Sequence, residues 1–140
     1  VGKKIITYND YDHLLDKLID KIDGHSIHGE LKYVYGPPRG GLPIAVHLSH
    51  HLGLEFVTKR DICEWLNMDE LQKVLLVDDI ADTGKTLHEI KDEEGIDFIT
   101  ATLYYKPRSI IKPDFFVEET TEWCCFPWER LDEEPNREGY

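Results

Sequence analysis

Val74-Leu75-Leu76-Val77-Asp78-Asp79-Ile80-Ala81-Asp82-Thr83-Gly84-Lys85-Thr86-Leu87 is the stretch from which the rest of the chain can be read. Its apolar run is short and unbroken, as in a strand buried on both faces. That strand delivers two adjacent carboxylates, Asp78 and Asp79, to the carboxyl edge of a sheet, and Asp82 adds a third. A loop of small and hydroxyl residues then opens a helix over 85–94. Such a loop offers an anion its backbone N–H groups, the hydroxyls of Thr83 and Thr86, and the positive end of a helix dipole. A phosphate at the turn and a sugar diol at the carboxylates would divide the site naturally. Gly84-Lys85-Thr86 also matches the end of a Walker A loop, but that motif needs glycine where Asp79 stands. A carboxylate would face the phosphate there, so the nucleoside-triphosphatase reading fails.

Outward from this segment, elements of both kinds alternate. Residues 10–22 place Tyr11, Leu14, Leu15, Leu18, Ile19 and Ile22 on one helical face, with Asn9 or Asp10 as the expected cap and Gly24 beyond the end. A strand is expected over 31–35, stopped by Gly36-Pro37-Pro38-Arg39-Gly40-Gly41. A helix follows over 42–52, with Pro43 tolerated in its first turn, and a strand over 54–58. Residues 59–72 are polar and expected to be irregular, with helix around Trp65 to Leu71. Further strands fit 73–77, 98–105 and 115–118, and the acidic last dozen residues are expected to fray. This alternation predicts an α/β domain with a mostly parallel sheet. Ligands in such folds gather at the carboxyl ends of strands, where both unusual loops, 36–41 and 78–86, lie.

The chain has 140 residues, enough for one compact domain, and a formal net charge of −12. That charge disfavours nucleic acid and anionic membranes as partners. Any phosphate site must therefore be local: amides, a few placed cations and a metal. No apolar run approaches the roughly 20 residues that span a bilayer. The opening Val1-Gly2-Lys3-Lys4-Ile5-Ile6 is too short for a signal peptide, and a cytoplasmic location is expected. Cys63, Cys124 and Cys125 form no disulfide or zinc pattern, so buried or partly buried thiols are expected.

The 74–87 segment resembles the phosphoribosyl-pyrophosphate motif of type I phosphoribosyltransferases: apolar strand, two acids, two variable residues, Asp-Thr-Gly, one residue, Thr. The resemblance implies that fold: a central, mostly parallel sheet flanked by helices, with a small hood formed by about 1–8 and 106–130. It implies that Asp78 and Asp79 hold ribose hydroxyls and that Thr83, Gly84, Lys85 and Thr86 cradle the 5′-phosphate. Asp82 would face the purine imidazole nitrogen as the catalytic acceptor. The loop Pro38, Arg39 and Gly40 would bind pyrophosphate, with a non-proline cis peptide at Pro38–Arg39. Mg²⁺ on the pyrophosphate oxygens is the implied cofactor, with Asp79 as its protein contact.

The stretches Ile5-Ile6-Thr7-Tyr8, Tyr105-Lys106-Pro107-Arg108 and Trp123-Cys124-Cys125-Phe126-Pro127-Trp128-Glu129 are similar to those of bacterial xanthine–guanine phosphoribosyltransferases. That likeness implies that Lys106 donates to a purine 6-oxo group, that Trp123 stacks on the ring, and that the Cys124 backbone meets the base edge. The expected partners are phosphoribosyl pyrophosphate, a 6-oxopurine (xanthine, guanine or hypoxanthine) and other copies of the chain in a dimer or tetramer. One departure stands out. Family members usually carry a long loop, often with a Ser-Tyr pair, between the strands at 54–58 and 73–77. Here 59–72 is shorter and lacks the pair, leaving Lys59 and Arg60 as substitutes. Two alternatives follow: a phosphoribosyl-pyrophosphate-binding regulator without turnover, and a transferase for a different base.

Overall fold

A computed structural model describes residues 2–129. The expected fraying of the last dozen residues falls almost wholly outside them, as do Val1 and Arg130 of the expected hood. Five strands form one sheet in the order β3-β2-β4-β5-β6, namely β2 (Tyr33–Tyr35), β3 (Glu55–Phe56), β4 (Val74–Ala81), β5 (Ile99–Tyr105) and β6 (Phe115–Glu119). Every pairing is parallel, as the alternation of elements predicts. The central strand β4 is buried from Val74 to Asp78.

Because side chains alternate across a strand, the inner strands β2 and β4 feed two cores. Val34, Leu75, Val77, Ala101 and Leu103 point to one side. There they meet Tyr11, Leu14, Leu15, Leu18 and Ile22 of α1 (Tyr8–Asp23) and Ile44, Ala45 and Leu48 of α2 (Gly41–Leu52). Tyr33, Tyr35, Val74 and Leu76 point to the other, against Leu87 and Ile90 of α4 (Lys85–Glu94), Ile62, and Leu71 of α3 (Met68–Leu71). A second, two-stranded parallel ribbon pairs β1 (Lys3–Ile5) with β7 (Trp123–Cys125).

Several local expectations are corrected. The cap of α1 is Thr7, not Asn9 or Asp10: its hydroxyl accepts from Asp10 N at 3.1 Å while Thr7 N donates to Asp10 Oδ2 at 3.0 Å. Asp10 is thus the acidic partner of a capping box rather than the cap. The helix expected around Trp65 to Leu71 is present as α3, opened by a capping box between Asn67 and Glu70, while a π turn over Asp61–Trp65 stands where irregular chain was expected. β4 does not stop at Val77; β5 gives it ladder partners as far as Ala81↔Tyr105, so both acids lie within the strand. β1 and β7 escaped prediction: each is three residues long, and their pairing joins opposite ends of the chain. Cys63 is exposed, whereas Cys124 and Cys125 are buried.

Candidate active site

The carboxyl end of β4 carries Asp78, 6% exposed, and Asp79. Asp78 Oδ1 accepts from Asp79 N at 2.9 Å, and Asp79 Oδ1 accepts from Ile80 N at 2.8 Å, so the backbone fixes both side chains. Burial pushes the Asp79 carboxyl up to about 7; the hydrogen bond with the Asp78 side chain pulls the other way, and the charge of Glu129 adds to the rise. The 36–41 loop lies directly on this pair. A Cβ on Gly40 would overlap the Asp79 carboxylate, and one on Gly41 would lie 2.5 Å from Val77 O. Only glycine lets the loop backbone approach so closely. Gly41 N donates to Pro37 O at 3.0 Å, closing the turn, and the Pro38–Arg39 peptide is cis, as expected from the motif.

Beyond β4 the chain turns at Gly84, with φ of +81°, into α4. Lys85 N donates to Thr83 Oγ1 at 3.2 Å, and the Lys85 ammonium is exposed, 3.9 Å from Glu89. The segment after β5 packs against this loop: Ile110 N donates to Thr83 O at 2.8 Å, and Ile111 N would lie 2.8 Å from a Cβ on Gly84. The same segment supplies Lys106, whose N donates to Ala81 O at 2.9 Å and whose Nζ lies 3.3 Å from Asp82 Oδ1. Asp82 and Lys106 are both buried. Arg108 Nε also donates to Asp82 Oδ1, at 2.8 Å.

The structure thus brings Asp78, Asp79 and Gly40 together at one point and Asp82 and Lys106 at another, four residues along the same chain turn. Cys124 is electrostatically close to Lys106: burial pushes its thiol up to about 12, and the Lys106 ammonium is the largest opposing influence. Its backbone lies in the ladder opposite Lys4. Trp123 is half-buried, with the Lys3 ammonium 4.6 Å from its ring centroid. Trp128 stacks on Phe126 at 5.3 Å and, with Pro38, Arg39 and Leu42, lines an apolar cavity of about 420 Å³. Lys59 and Arg60, the substitutes for the missing loop, are tied to Glu93 and Glu64, each at 2.9 Å.

Sequence reasoning gave Arg108 and Glu129 no role. Arg108 stands two residues after Lys106, beyond Pro107, but its reach to Asp82 leaves no mark in the local sequence; Glu129 lies about 50 residues from the acid it influences.

The carboxyl end of the sheet thus carries two acidic clusters, and comparison with known proteins gives the class to which this fold belongs. The phosphoribosyl transferase domain family matches residues 66–133. A xanthine-guanine phosphoribosyltransferase of Nitratidesulfovibrio vulgaris is 30% identical over 72% of this chain and 71% of its own. The chain belongs to the phosphoribosyltransferase family. A purine phosphoribosyltransferase from Pyrococcus horikoshii superposes with a TM-score of 0.73 at 29% identity, covering 96% of this chain and 99% of that one. A xanthine-guanine-hypoxanthine phosphoribosyltransferase of Helicobacter pylori shares the fold, with a TM-score of 0.71 at 24% identity over 91% and 94% of the two chains.

Proposed function

We propose that this protein transfers the 5-phosphoribosyl group of phosphoribosyl pyrophosphate to a 6-oxopurine, releasing pyrophosphate. The observation that carries the reading is the buried Lys106 ammonium 3.3 Å from Asp82, beside the loop that follows the Asp78–Asp79 pair. An acceptor-only carboxylate next to a donor-only ammonium matches the ring N–H and 6-oxo group on one edge of such a base. Asp78 and Asp79 would hold the ribose hydroxyls. Thr83, Gly84, Lys85 and Thr86 would hold the 5′-phosphate, and Pro38, Arg39 and Gly40 the pyrophosphate. Trp123 and the Cys124 backbone would complete the base pocket from the hood, residues 1–8 and 106–130.

Among the described residues no cluster of three or more His, Cys, Asp and Glu is placed to hold a metal ion. The donor set at the site is the oxygen pair of Asp78 and Asp79. That suits Mg²⁺, which keeps waters and binds through one or two carboxylates plus substrate phosphates. Bound there, it would offset charge on the departing pyrophosphate. In the reaction a base nitrogen forms a bond to the ribose anomeric carbon as the bond to pyrophosphate oxygen breaks. Asp82 accepts the hydrogen bond of the other imidazole nitrogen, whose proton grows more acidic as the bond forms.

No helix among the described residues is long and apolar enough to cross a membrane. The free thiols fit the cytoplasm as the working compartment. The test is incubation with Mg²⁺, phosphoribosyl pyrophosphate and, separately, hypoxanthine, guanine, xanthine, adenine and uracil. The oxopurines are expected to yield nucleotide. Tight binding of phosphoribosyl pyrophosphate with no nucleotide from any base would instead support a regulator. The ion pairs that occupy Lys59 and Arg60 would favour that second reading.

A further inference from the structure

Every donor to Asp82 among the described residues goes to one oxygen. Arg108 donates to Oδ1 from Nε at 2.8 Å and also from Nη2, and Lys106 Nζ lies 3.3 Å from the same atom. The side chains of Asp82 and Lys106 are 7% and 8% exposed, while that of Arg108 is 52% exposed and stands at the rim. Resting on the 6-oxopurine reading, we infer that Arg108 is a positioning residue for base recognition: by occupying Oδ1 it turns Oδ2 of Asp82 toward the ring N–H and keeps Lys106 available to the 6-oxo group.

The argument is one of competition. A buried ammonium beside a single buried carboxylate forms a closed pair, since each is the other's best partner once water is excluded. A 6-oxo group would then have to draw Lys106 away from Asp82. The planar Arg fork delivers two parallel N–H groups to a carboxylate, and here it takes Oδ1 at the shorter distance. Lys106 is left as the longer, weaker partner with donors to spare, because an ammonium carries three. Charge points the same way. Two cations converge on the one Asp82 carboxylate, and the Lys106 ammonium is complementary to the partly negative oxygen of an oxopurine. The backbone of the segment does not depend on the Arg108 side chain. It is held by Lys106 N to Ala81 O, Ser109 N to Lys106 O and Ile110 N to Thr83 O, at 2.8–2.9 Å.

The experiment compares the unmodified protein with Arg108→Ala and Arg108→Lys, using calorimetry with GMP and with ribose 5-phosphate, and steady-state kinetics with hypoxanthine. A charge-assisted contact of this kind predicts that Arg108→Ala weakens GMP binding and raises the KM for hypoxanthine about tenfold. Affinity for ribose 5-phosphate and the KM for phosphoribosyl pyrophosphate should stay unchanged. Arg108→Lys should recover part of the loss, and guanidinium added to Arg108→Ala should recover more than the same concentration of sodium chloride. Unchanged GMP affinity in Arg108→Ala would overturn the role. So would equal losses for GMP and ribose 5-phosphate, which would mark a purely structural contact. If the unmodified protein binds no GMP and forms no nucleotide from hypoxanthine, the 6-oxopurine reading itself fails.

Discussion

Replacing Lys106 by Met should erase the distinction between oxo- and aminopurines while leaving the fold intact. Lys106 is 7% exposed, and its ammonium can only donate. A 6-oxo group accepts from it. The 6-amino group of adenine also donates, so two donors would face each other with little water to separate them. Leaving a buried donor unpaired costs about 1–3 kcal/mol, and more when it is charged. At about 1.4 kcal/mol per decade, discrimination of at least about 100-fold in kcat/KM follows. Lys106→Met keeps the length and apolar stem but removes the donor. Asp82 is not stranded, because Arg108 still donates to it. Hypoxanthine should therefore lose about 100-fold or more, and adenine little. The assay is kcat/KM for both bases in both proteins, with a thermal melt as the check on folding. Comparable values for adenine and hypoxanthine in the unmodified protein would refute the reasoning. A ratio that survives the substitution would refute the assignment to Lys106.

Asp79 should trade stability for function. Burial raises its carboxyl from 3.8 to about 7, so the folded protein holds a proton that the unfolded chain releases between those values. That contribution is complete below the unfolded value and is lost as pH rises through the folded one. Without ligand, Asp79→Asn should be more stable than the unmodified protein at pH 8 and about equally stable at pH 4 in chemical denaturation; the same difference at both pH values would contradict the account. Asp82→Asn keeps the size but weakens the acceptor, and kcat should fall about 100-fold in steady-state turnover. Gly84→Ala meets both a φ of +81° and a contact of 2.8 Å with Ile111 N, so chemical denaturation should show a loss of about 1–3 kcal/mol. Trp123→Ala should weaken all bases alike, since stacking worth roughly 1–3 kcal/mol is tolerant of base identity; competition binding with hypoxanthine and adenine would show it.

The sheet was legible because its signals are local. The run Val74 to Val77 and the amphipathic spacing from Tyr11 to Ile22 each contain their own explanation, and the structure places them as the central strand and a core helix. The Asp78–Thr86 loop was legible for the same reason: strand, acids, turn and helix follow one another in the chain. What stayed hidden depends on partners far away. β1 and β7 are too short to carry a pattern, and each becomes a strand only through the other. β4 reaches Ala81 because β5 pairs with it that far. Arg108 stood in plain view, but nothing in its own neighbourhood says that it reaches back 26 residues to share Asp82 with Lys106. Thr7 caps α1 one turn before the apolar spacing begins, and Asp10, itself a capping residue type, is its partner in the box.

The central claim is that bound phosphoribosyl pyrophosphate is turned over onto an oxopurine nitrogen. Phosphorus NMR of the protein with Mg²⁺, phosphoribosyl pyrophosphate and hypoxanthine follows that step directly. The account predicts pyrophosphate and nucleoside monophosphate appearing in equal amounts, with neither forming when the base is left out. Phosphoribosyl pyrophosphate that stays intact in the presence of base, or pyrophosphate that appears without nucleotide, would contradict it.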